Sequence, residues 1–227
     1  MSKFSDKTII DSWQKNATAW TVAVRDNQIE TRTQVTNQAI VDAVISVGPK
    51  AVLDIGCGEG WLARELCSRN ISVVGLDVVP ELIARAHESC SGQFQVMSYE
   101  QIAEGGVKGT FDVVVCNFSL LGKESVEGIF KVVPTLLNQN GYFIVQTVHP
   151  AFSCEGHVYK DGWREGSWQG FSSDFTDPAP WYFRTIESWL ALFRQNGLEL
   201  VEMREPVHTK TGEAASLIMM GCRSVRR

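Results

Sequence analysis

The chain has 227 residues, of which 44% are hydrophobic and 21% are charged, and its formal net charge is −5. This composition is typical of a globular protein with a buried core and argues against a disordered chain. The acidic balance disfavours nucleic-acid binding, which normally needs a basic face, and no apolar run reaches the length of a membrane span.

The six cysteines are scattered, with none in a CxxC pair and none at zinc-ligand spacing from a histidine. The chain also begins without the charged-then-apolar pattern of a signal peptide. We therefore expect a cytoplasmic protein with no metal site and with neither a nucleic-acid nor a membrane partner. The sequence does not indicate an oligomeric state.

Two helices are predicted before any strand, over residues 5–24 and 31–47. In the second helix apolar residues recur four apart on one face, and Gly48-Pro49 ends it. Trp13 and Trp20 lie seven apart on the first helix, where we expect them to pack within this N-terminal region.

From residue 51 onwards, strands alternate with helices. The first five predicted strands lie at 51–55, 71–77, 93–97, 111–121 and 142–148, and the segment 111–121 is a strand that runs into a loop. Two more strands close the chain after a helix, and the short polar loop between them predicts an antiparallel pair. Alternating elements imply right-handed crossovers and a parallel sheet with helices on both faces. The expected fold is therefore α/β, a Rossmann-like doubly wound sheet of seven strands, mostly parallel, with an antiparallel C-terminal hairpin.

The segment 51–60, AVLDIGCGEG, is a predicted strand and glycine turn that lead into a helix. Gly56 permits a sharp exit from the strand, and Gly58 lets a ligand approach the backbone closely. Gly60 lets the helix pack near the sheet. Exposed amides at the start of that helix attract polar or anionic ligand groups, so this turn is the expected binding site.

The spacing of the turn distinguishes two ligands. Dinucleotide sites carry GxGxxG, whereas this chain has DxGxGxG, with the third glycine one residue early and Asp54 two residues before the first. An acid there repels a pyrophosphate and favours an ammonium group. Asp77 ends the second strand, where an acid accepts the hydroxyl protons of a ribose. The pattern favours a ligand with a ribose, an amino-acid end and a sulfonium charge, and it argues against a nucleotide-dependent dehydrogenase.

The run VLDIGCGEGWLARELCSRNISVVGLD resembles motif I and the following acidic motif of class I S-adenosylmethionine-dependent methyltransferases. The order of elements over 51–223 is similar to that fold as well. The resemblance implies S-adenosylmethionine as the cofactor. It also implies a single domain with a helical cap (1–48), a cofactor-binding core (51–148), a lid or acceptor region (149–183) and a C-terminal helix with a hairpin (184–227).

The same resemblance implies which residues hold the cofactor. Ser98 and Tyr99 stand where the family often places an acid against the adenine, and Glu100 is an alternative to them. Arg25 is an alternative to Arg32 as the partner of the methionine carboxylate. The implied cofactor-binding residues are Arg32, Asp54, Gly56, Cys57, Gly58, Asp77, Val78, Ser98, Tyr99, Asn117 and Phe118.

The residues after the fourth strand, 117–120, read Asn-Phe-Ser-Leu. They lack the Asn/Asp-Pro-Pro-aromatic motif of methyltransferases that act on amino groups of nucleic acids or on protein glutamine. With the acidic net charge, this favours a small-molecule acceptor methylated by in-line displacement. A protein or RNA methyltransferase and a non-catalytic cofactor-binding protein are the alternatives. The sequence does not decide whether oxygen, nitrogen, carbon or sulfur is methylated.

His149 directly follows the fifth strand, at the edge of the sheet where ligands bind, and is the candidate general base. The alternative is a turn residue with local hydrogen bonds. The lid region beyond it is rich in rings, which are expected either to surround the acceptor or to pack the lid onto the sheet. We expect more than half of these rings to serve packing alone. The nine rings of the lid region are Phe152, Tyr159, Trp163, Trp168, Phe171, Phe175, Trp181, Tyr182 and Phe183.

Overall fold

The computed structural model describes residues 3–88, 91–154 and 156–223. Cys90 and the last four residues of the predicted C-terminal unit therefore lie outside the described residues. The chain begins with a cap of helices above the sheet. The cap consists of α1 (Asp6–Lys15), α2 (Ala17–Arg25), a π-helical turn (Arg32–Thr36) and α3 (Asn37–Ile45).

A seven-stranded sheet follows, in the order β3-β2-β1-β4-β5-β9-β8. The pairs up to β5 are parallel, and β9 is antiparallel to both of its neighbours, which confirms the predicted fold. The strands are β1 (Ala51–Ile55), β2 (Ser72–Asp77), β3 (Gln93–Val96), β4 (Phe111–Asn117), β5 (Leu137–Thr147), β8 (Leu198–Arg204) and β9 (Leu217–Arg223). The helices between them are α4 (Trp61–Cys67), α5 (Pro80–His87), α6 (Tyr99–Ala103), α7 (Glu124–Leu136) and α8 (Ile186–Gln195).

Both faces of the sheet are buried under helices. On one face, Val114 and Phe143 pack with Phe130 of α7 and Phe193 of α8, and the Phe130 and Phe143 ring centroids lie 5.0 Å apart. On the other face, Val115 packs with side chains of α3, α4 and α5. The central strands β1 and β4 therefore read as nearly continuous apolar runs, as parallel strands covered on both sides do.

The order of the strands places a switch point between β1 and β4. From β1 the chain winds outward to β2 and β3, then returns to add β4 on the other side of β1. In open α/β sheets the crevice for a ligand lies at such a point, outside the carboxyl ends of the strands. The glycine turn follows β1 and the Asn117 segment follows β4, so both predicted binding segments border this crevice.

The predicted extent of the first helix was wrong. The single helix predicted over 5–24 breaks at Asn16, whose buried amide nitrogen donates to the carbonyl oxygens of Ser12 and Thr176 at 2.8 Å each. The segment 111–121, predicted as a strand that runs into a loop, is a strand as far as Asn117, because Phe118 takes a φ of 53°. Such a left-handed conformation is rare for a bulky residue and ends the extended ladder.

The region 149–183 is largely irregular, as predicted, but it contains a short antiparallel ribbon. The strands of this ribbon are β6 (Gly162–Arg164) and β7 (Trp181–Phe183). The amide of Tyr182 donates to the carbonyl oxygen of Leu121, 2.7 Å away, in the loop after β4. The ribbon therefore ties the lid to the carboxyl edge of the large sheet.

Candidate cofactor and acceptor site

A cavity of about 580 Å³ opens at the carboxyl edge of the sheet, bounded by the loops after β1, β2 and β4, the cap and the lid. Its volume is within the usual range of small-molecule sites. Asp54, Ser98 and His149 are not part of its wall. Nine of the predicted site residues are: Arg32, Gly56, Cys57, Gly58, Asp77, Val78, Tyr99, Asn117 and Phe118.

The three glycines of the turn serve different contacts. A Cβ at Gly56 would lie 2.3 Å from the Cβ of Ser119, so this glycine lets the loops after β1 and β4 touch. At Gly58 the nearest atom to an added Cβ is Nε1 of Trp20 at 3.6 Å, which leaves the backbone open to the cavity. At Gly60 the close neighbour is Ala86 of α5, 2.9 Å away. The third glycine therefore brings two helices together.

Asp77 is held rigidly at the end of β2. Its Oδ2 accepts a hydrogen bond from the amide of Gly58 at 2.9 Å, and its Oδ1 accepts one from the amide of Val79 at 2.9 Å. Burial raises the pKa of this carboxyl, while the backbone hydrogen bonds act in the opposite direction. A carboxylate has about four lone-pair sites, so two remain for ligand hydroxyl groups. The geometry suits the predicted contact with a ribose.

Asp54 lies beneath the glycine turn and is only 1% exposed. Burial raises its pKa to about 7, and the nearby charge of Asp77 adds to the increase. The carboxyl group therefore keeps its proton to a higher pH than an exposed aspartate does. The cavity wall does not include it, so any effect on a ligand ammonium group passes through the turn.

The raised pKa of Asp54 predicts a pH-dependent stability. Between pH 4 and 7 the native state holds a proton that the unfolded chain has already released, so stability falls as the pH rises. In urea unfolding at pH 5 and pH 8, the wild type should lose on the order of 3 kcal/mol more than Asp54→Asn, which lacks this titration. Parallel pH profiles for the two proteins would show that the Asp54 pKa is close to its ordinary value.

Arg32 is buried in the cavity wall between two indole rings. Its guanidinium carbon lies 5.2 Å from the ring centroid of Trp20 and 5.0 Å from that of Trp61. Nε donates to the Asn37 side chain at 3.2 Å, whereas Nη2 is buried with no hydrogen-bond partner among the described residues. Burial lowers the Arg32 pKa to about 10, against the charge of Glu59, so the group stays cationic. An unsatisfied donor on a buried cation is costly, and an anionic ligand group would satisfy it.

Arg25, the alternative to Arg32, lies elsewhere. Its Nε donates to Oε2 of Glu59 at 3.0 Å, and its Nη2 donates to the carbonyl oxygen of Arg85 at 3.0 Å. It is not part of the cavity wall. The structure therefore favours Arg32 as the partner of a ligand carboxylate.

Ser98 and Tyr99, which follow β3 and were predicted together as adenine contacts, have different positions in the structure. Ser98 caps α6: its Oγ accepts from the amide of Gln101 at 3.3 Å, and Oε1 of Gln101 accepts from the amide of Ser98 at 2.9 Å. Tyr99 lines the cavity and donates from its hydroxyl to the carbonyl oxygen of Ser119 at 3.0 Å. Glu100 also lines the cavity, so the alternative acid is in the wall and Ser98 is not.

The end of β4 presents a second unsatisfied polar atom. Oδ1 of Asn117 is buried and has no hydrogen-bond partner within the described ranges. The next residue, Phe118, has a left-handed conformation, and its backbone amide donates a hydrogen bond to the carbonyl oxygen of Gln146 at 2.8 Å. Strain of this kind persists where the surroundings impose it, often at a ligand site. Both residues line the cavity.

His149 is buried, but both ring nitrogens are engaged outside the cavity. Nε2 lies 2.8 Å from Oε1 of Glu205, and Nδ1 accepts from the amide of Ala151 at 3.3 Å. This pattern places the ring proton on Nε2. The geometry does not favour the predicted role as general base, because neither nitrogen faces the cavity. It agrees with the alternative of a locally bonded turn residue, which here also ties β5 to the C-terminal hairpin.

The lid and the cap share an aromatic wall. Five of the nine lid rings line the cavity, and the expectation that more than half serve packing alone stays a prediction, because a ring in the wall can also be there only to pack. The indoles of Trp13 and Trp20 also line it, with centroids 5.1 Å apart, and Trp13 meets Trp168 of the lid at 5.8 Å. The five lid rings are Trp168, Phe171, Trp181, Tyr182 and Phe183.

Arg184 is a cavity residue that sequence reasoning missed. It is 4% exposed, lines the cavity and follows the last strand of the lid ribbon. The prediction assigned it only to the start of the C-terminal unit. A lone arginine between an aromatic run and a helix cap has no spacing pattern that marks it as functional.

Among the described residues, no cluster of three or more histidine, cysteine, aspartate or glutamate side chains is arranged to hold a metal ion. Within the same ranges no helix has the length and apolarity that crossing a membrane requires.

Comparison with known proteins identifies the family. Residues 33–203 match the model of a methyltransferase domain family. The ubiquinone biosynthesis O-methyltransferase of Pseudomonas paraeruginosa is 31% identical over 114 residues, which are 48% of this chain and 49% of that protein. The chain thus matches only about half the length of these curated relatives.

Solved structures show the same fold at low identity. An S-adenosylmethionine-dependent methyltransferase from Listeria monocytogenes superposes with a TM-score of 0.66 and 20% identity, covering 82% of this chain and 97% of that one. The DhpI–SAH complex gives a TM-score of 0.65 and 14% identity, with full coverage of both chains. The chain belongs to the methyltransferase domain family and has the fold of class I S-adenosylmethionine-dependent methyltransferases.

Proposed function

We propose that this protein transfers a methyl group from S-adenosylmethionine to a small-molecule acceptor. The observation that carries the proposal is that one cavity joins a fixed carboxylate at Asp77, an unsatisfied cation at Arg32 and an open backbone at Gly58 to the aromatic wall of the lid. The Asp77 carboxylate fits the ribose hydroxyl groups of that cofactor, and the Arg32 cation fits its carboxylate. The open backbone at Gly58 lets the cofactor approach closely. The aromatic wall leaves room for a second molecule beside it.

Four of the predicted cofactor contacts, and the alternative Glu100, have a physical role in this proposal. Asp77 would accept the ribose hydroxyl protons, and Arg32 would donate to the methionine carboxylate. Asn117 Oδ1 would accept from the ammonium group. Val78 and Glu100, both in the cavity wall, would border the adenine.

The bound cofactor would supply an electrophilic methyl group on a positively charged sulfur. The chain would hold acceptor and cofactor in line and exclude water, and such orientation is worth roughly 7–11 kcal/mol. The lid and cap are built for exclusion. The amide of Asn16 exchanges hydrogen bonds with the backbone of Thr176 at 2.8 and 2.9 Å, and Trp13 meets Trp168 across the same junction.

The shared wall of the cavity favours a small acceptor over a protein or RNA. Cap and lid both contribute to its wall, so a bulky polymer would have to part them. The curated relatives named above carry names that describe O-methylation in ubiquinone biosynthesis, which supports a small acceptor. The predicted cytoplasmic location stays a prediction.

The test of the proposed function is the fate of a labelled methyl group. The protein is incubated with methyl-tritiated S-adenosylmethionine and, in parallel, a small-molecule extract, a protein fraction and an RNA fraction. We expect label in the small-molecule extract alone. Label in protein or RNA would support one of the alternatives, and no transfer to any fraction would support a non-catalytic binding protein.

Arg32→Met should weaken S-adenosylhomocysteine binding about 30-fold, since it removes a charge-assisted contact worth about 2 kcal/mol. Arg25→Met is the matched control, because that arginine pairs with Glu59 outside the cavity wall. Its affinity should stay within about twofold of the wild type. Isothermal titration calorimetry measures both, and the reverse ranking would assign the carboxylate to Arg25.

A further inference from the structure

Arg184 lies in the wall of the cavity that is formed by the lid and by α1. Its Nη1 donates to the carbonyl oxygen of Gly122 at 2.8 Å, and its Nη2 donates to that of Lys123 at 3.0 Å. The guanidinium carbon is 4.8 Å from the ring centroid of Tyr182 and 5.2 Å from that of Trp189. These contacts fix the plane of the group and leave its remaining N–H donors without partners among the described residues.

The charge of Arg184 is not balanced by an ion pair. Within the described residues, no carboxylate oxygen lies within 4.0 Å of it. Its two hydrogen-bonded partners are neutral carbonyl groups. Burial lowers its pKa, and more distant charges on Glu127, Asp161 and Asp6 partly offset this. A buried cation without a paired anion is unfavourable, so a ligand with an anionic group would bind more tightly by pairing with it.

Asp6 and Glu165, two acids in the same wall, are already engaged. Asp6 accepts from the amides of Lys123 at 3.2 Å and Ser125 at 3.0 Å, which directs it towards the start of α7. Glu165 pairs with Lys3 at 2.5 Å on the surface. The surrounding wall is made of rings and aliphatic side chains, including Trp13, Ile9 and Trp181.

We propose that Arg184 recognises an oxyanion, such as a carboxylate, on a ring-bearing methyl acceptor. The arginine provides the charged contact, and the indole and phenol rings of the lid and cap cover the ring of the acceptor. The proposal rests on the proposed function, since it names the acceptor class of the same cavity. Arg32 serves the cofactor carboxylate, so the two buried arginines divide the two anions between them.

The test compares two probes of equal shape on protein saturated with S-adenosylhomocysteine, so that Arg32 is already occupied. The probes are 2-naphthoate and its neutral analogue 2-naphthamide, titrated by calorimetry. We expect the wild type to bind 2-naphthoate at least about tenfold more tightly, the usual gain from a charge-assisted hydrogen bond. Equal affinities, or no binding of either probe to the saturated protein, would overturn the acceptor assignment and leave the cofactor site intact.

Variants show whether Arg184 causes the preference for 2-naphthoate over 2-naphthamide. Arg184→Met should remove this preference, and Arg184→Lys should keep part of it. Arg164→Met is the matched control, because Arg164 also donates to two backbone carbonyl groups, of Val158 and Lys160, and lies over Phe183, but does not line the cavity. It should keep the full preference. An Arg184→Met protein that still prefers 2-naphthoate would overturn the proposal.

S-adenosylhomocysteine binding serves as an internal check on folding. Each variant should keep the rise in melting temperature that S-adenosylhomocysteine gives the wild type. If Arg184→Met does not fold, the comparison of the two probes on the wild type and on Arg184→Lys still decides. If S-adenosylhomocysteine fails to bind the wild type, the proposed function itself is wrong, and the acceptor assignment falls with it.

Discussion

Asp77→Asn is expected to weaken S-adenosylhomocysteine binding about 100-fold, which corresponds to about 3 kcal/mol. The wild-type carboxylate accepts two backbone hydrogen bonds, from Gly58 and Val79, and has two lone-pair sites left for the ribose. The amide offers only one acceptor oxygen, and its NH₂ group faces a backbone donor. The substitution therefore removes the charge-assisted contacts with the ribose and disturbs the turn beneath it. Calorimetry of the two proteins at the same pH measures the loss.

Asp112→Asn is the control for this experiment. Asp112 also accepts two backbone hydrogen bonds, from Lys50 at 2.8 Å and Ala51 at 3.0 Å. It lies near the start of β4, at the amino edge of the sheet, far from the cavity. Its substitution should lower stability and leave the affinity unchanged. If Asp77→Asn also kept the wild-type affinity, the acid would serve only to hold the glycine turn.

Gly56→Ala is expected to lower the free energy of unfolding by about 4 kcal/mol. A φ of +78° strains an alanine by about 1–2 kcal/mol, and a Cβ only 2.3 Å from that of Ser119 forces the loops after β1 and β4 apart. Ser119 cannot simply rotate away, because its Cβ is fixed by the backbone and its Oγ donates to the carbonyl oxygen of Ile55 at 2.7 Å. Urea unfolding measures the change.

Gly48→Ala separates strain from collision. Gly48 has a φ of +61°, and an added Cβ there meets nothing within 4 Å. This control should therefore lose only about 1–2 kcal/mol, the cost of the left-handed conformation. Equal losses at the two positions would mean that the loops adjust freely and that contact between them is not what requires Gly56.

Local patterns were sufficient to predict the sheet and nine of the residues that line the cavity. Alternating apolar runs and helical periods predicted a mostly parallel sheet, because right-handed crossovers leave few arrangements of such elements. The glycine turn and Asp77 are linked through chain segments that the fold brings together, and the amide of Gly58 does bond to Asp77. Such motifs are readable because one short segment carries several of the required residues.

Contacts between distant segments were not predictable in the same way. Asn16 reads as an ordinary helical residue, yet its amide joins Thr176, 160 positions away, and breaks the first helix. His149 was placed correctly after β5, but its partner Glu205 lies in the loop beyond β8, and that contact turns the ring from the cavity. Arg184 lines the cavity only because the folded lid places it there, beside Tyr182. No local spacing encodes these pairings.

The most direct test of the account is a crystal structure of the protein with S-adenosylhomocysteine. We expect the ribose hydroxyl groups on Asp77, the carboxylate on Nη2 of Arg32, and the sulfur facing open space beside Trp13 and the lid rings. A ligand bound elsewhere, or one whose ribose does not reach Asp77, would contradict the assignment of this cavity as a methyltransferase site.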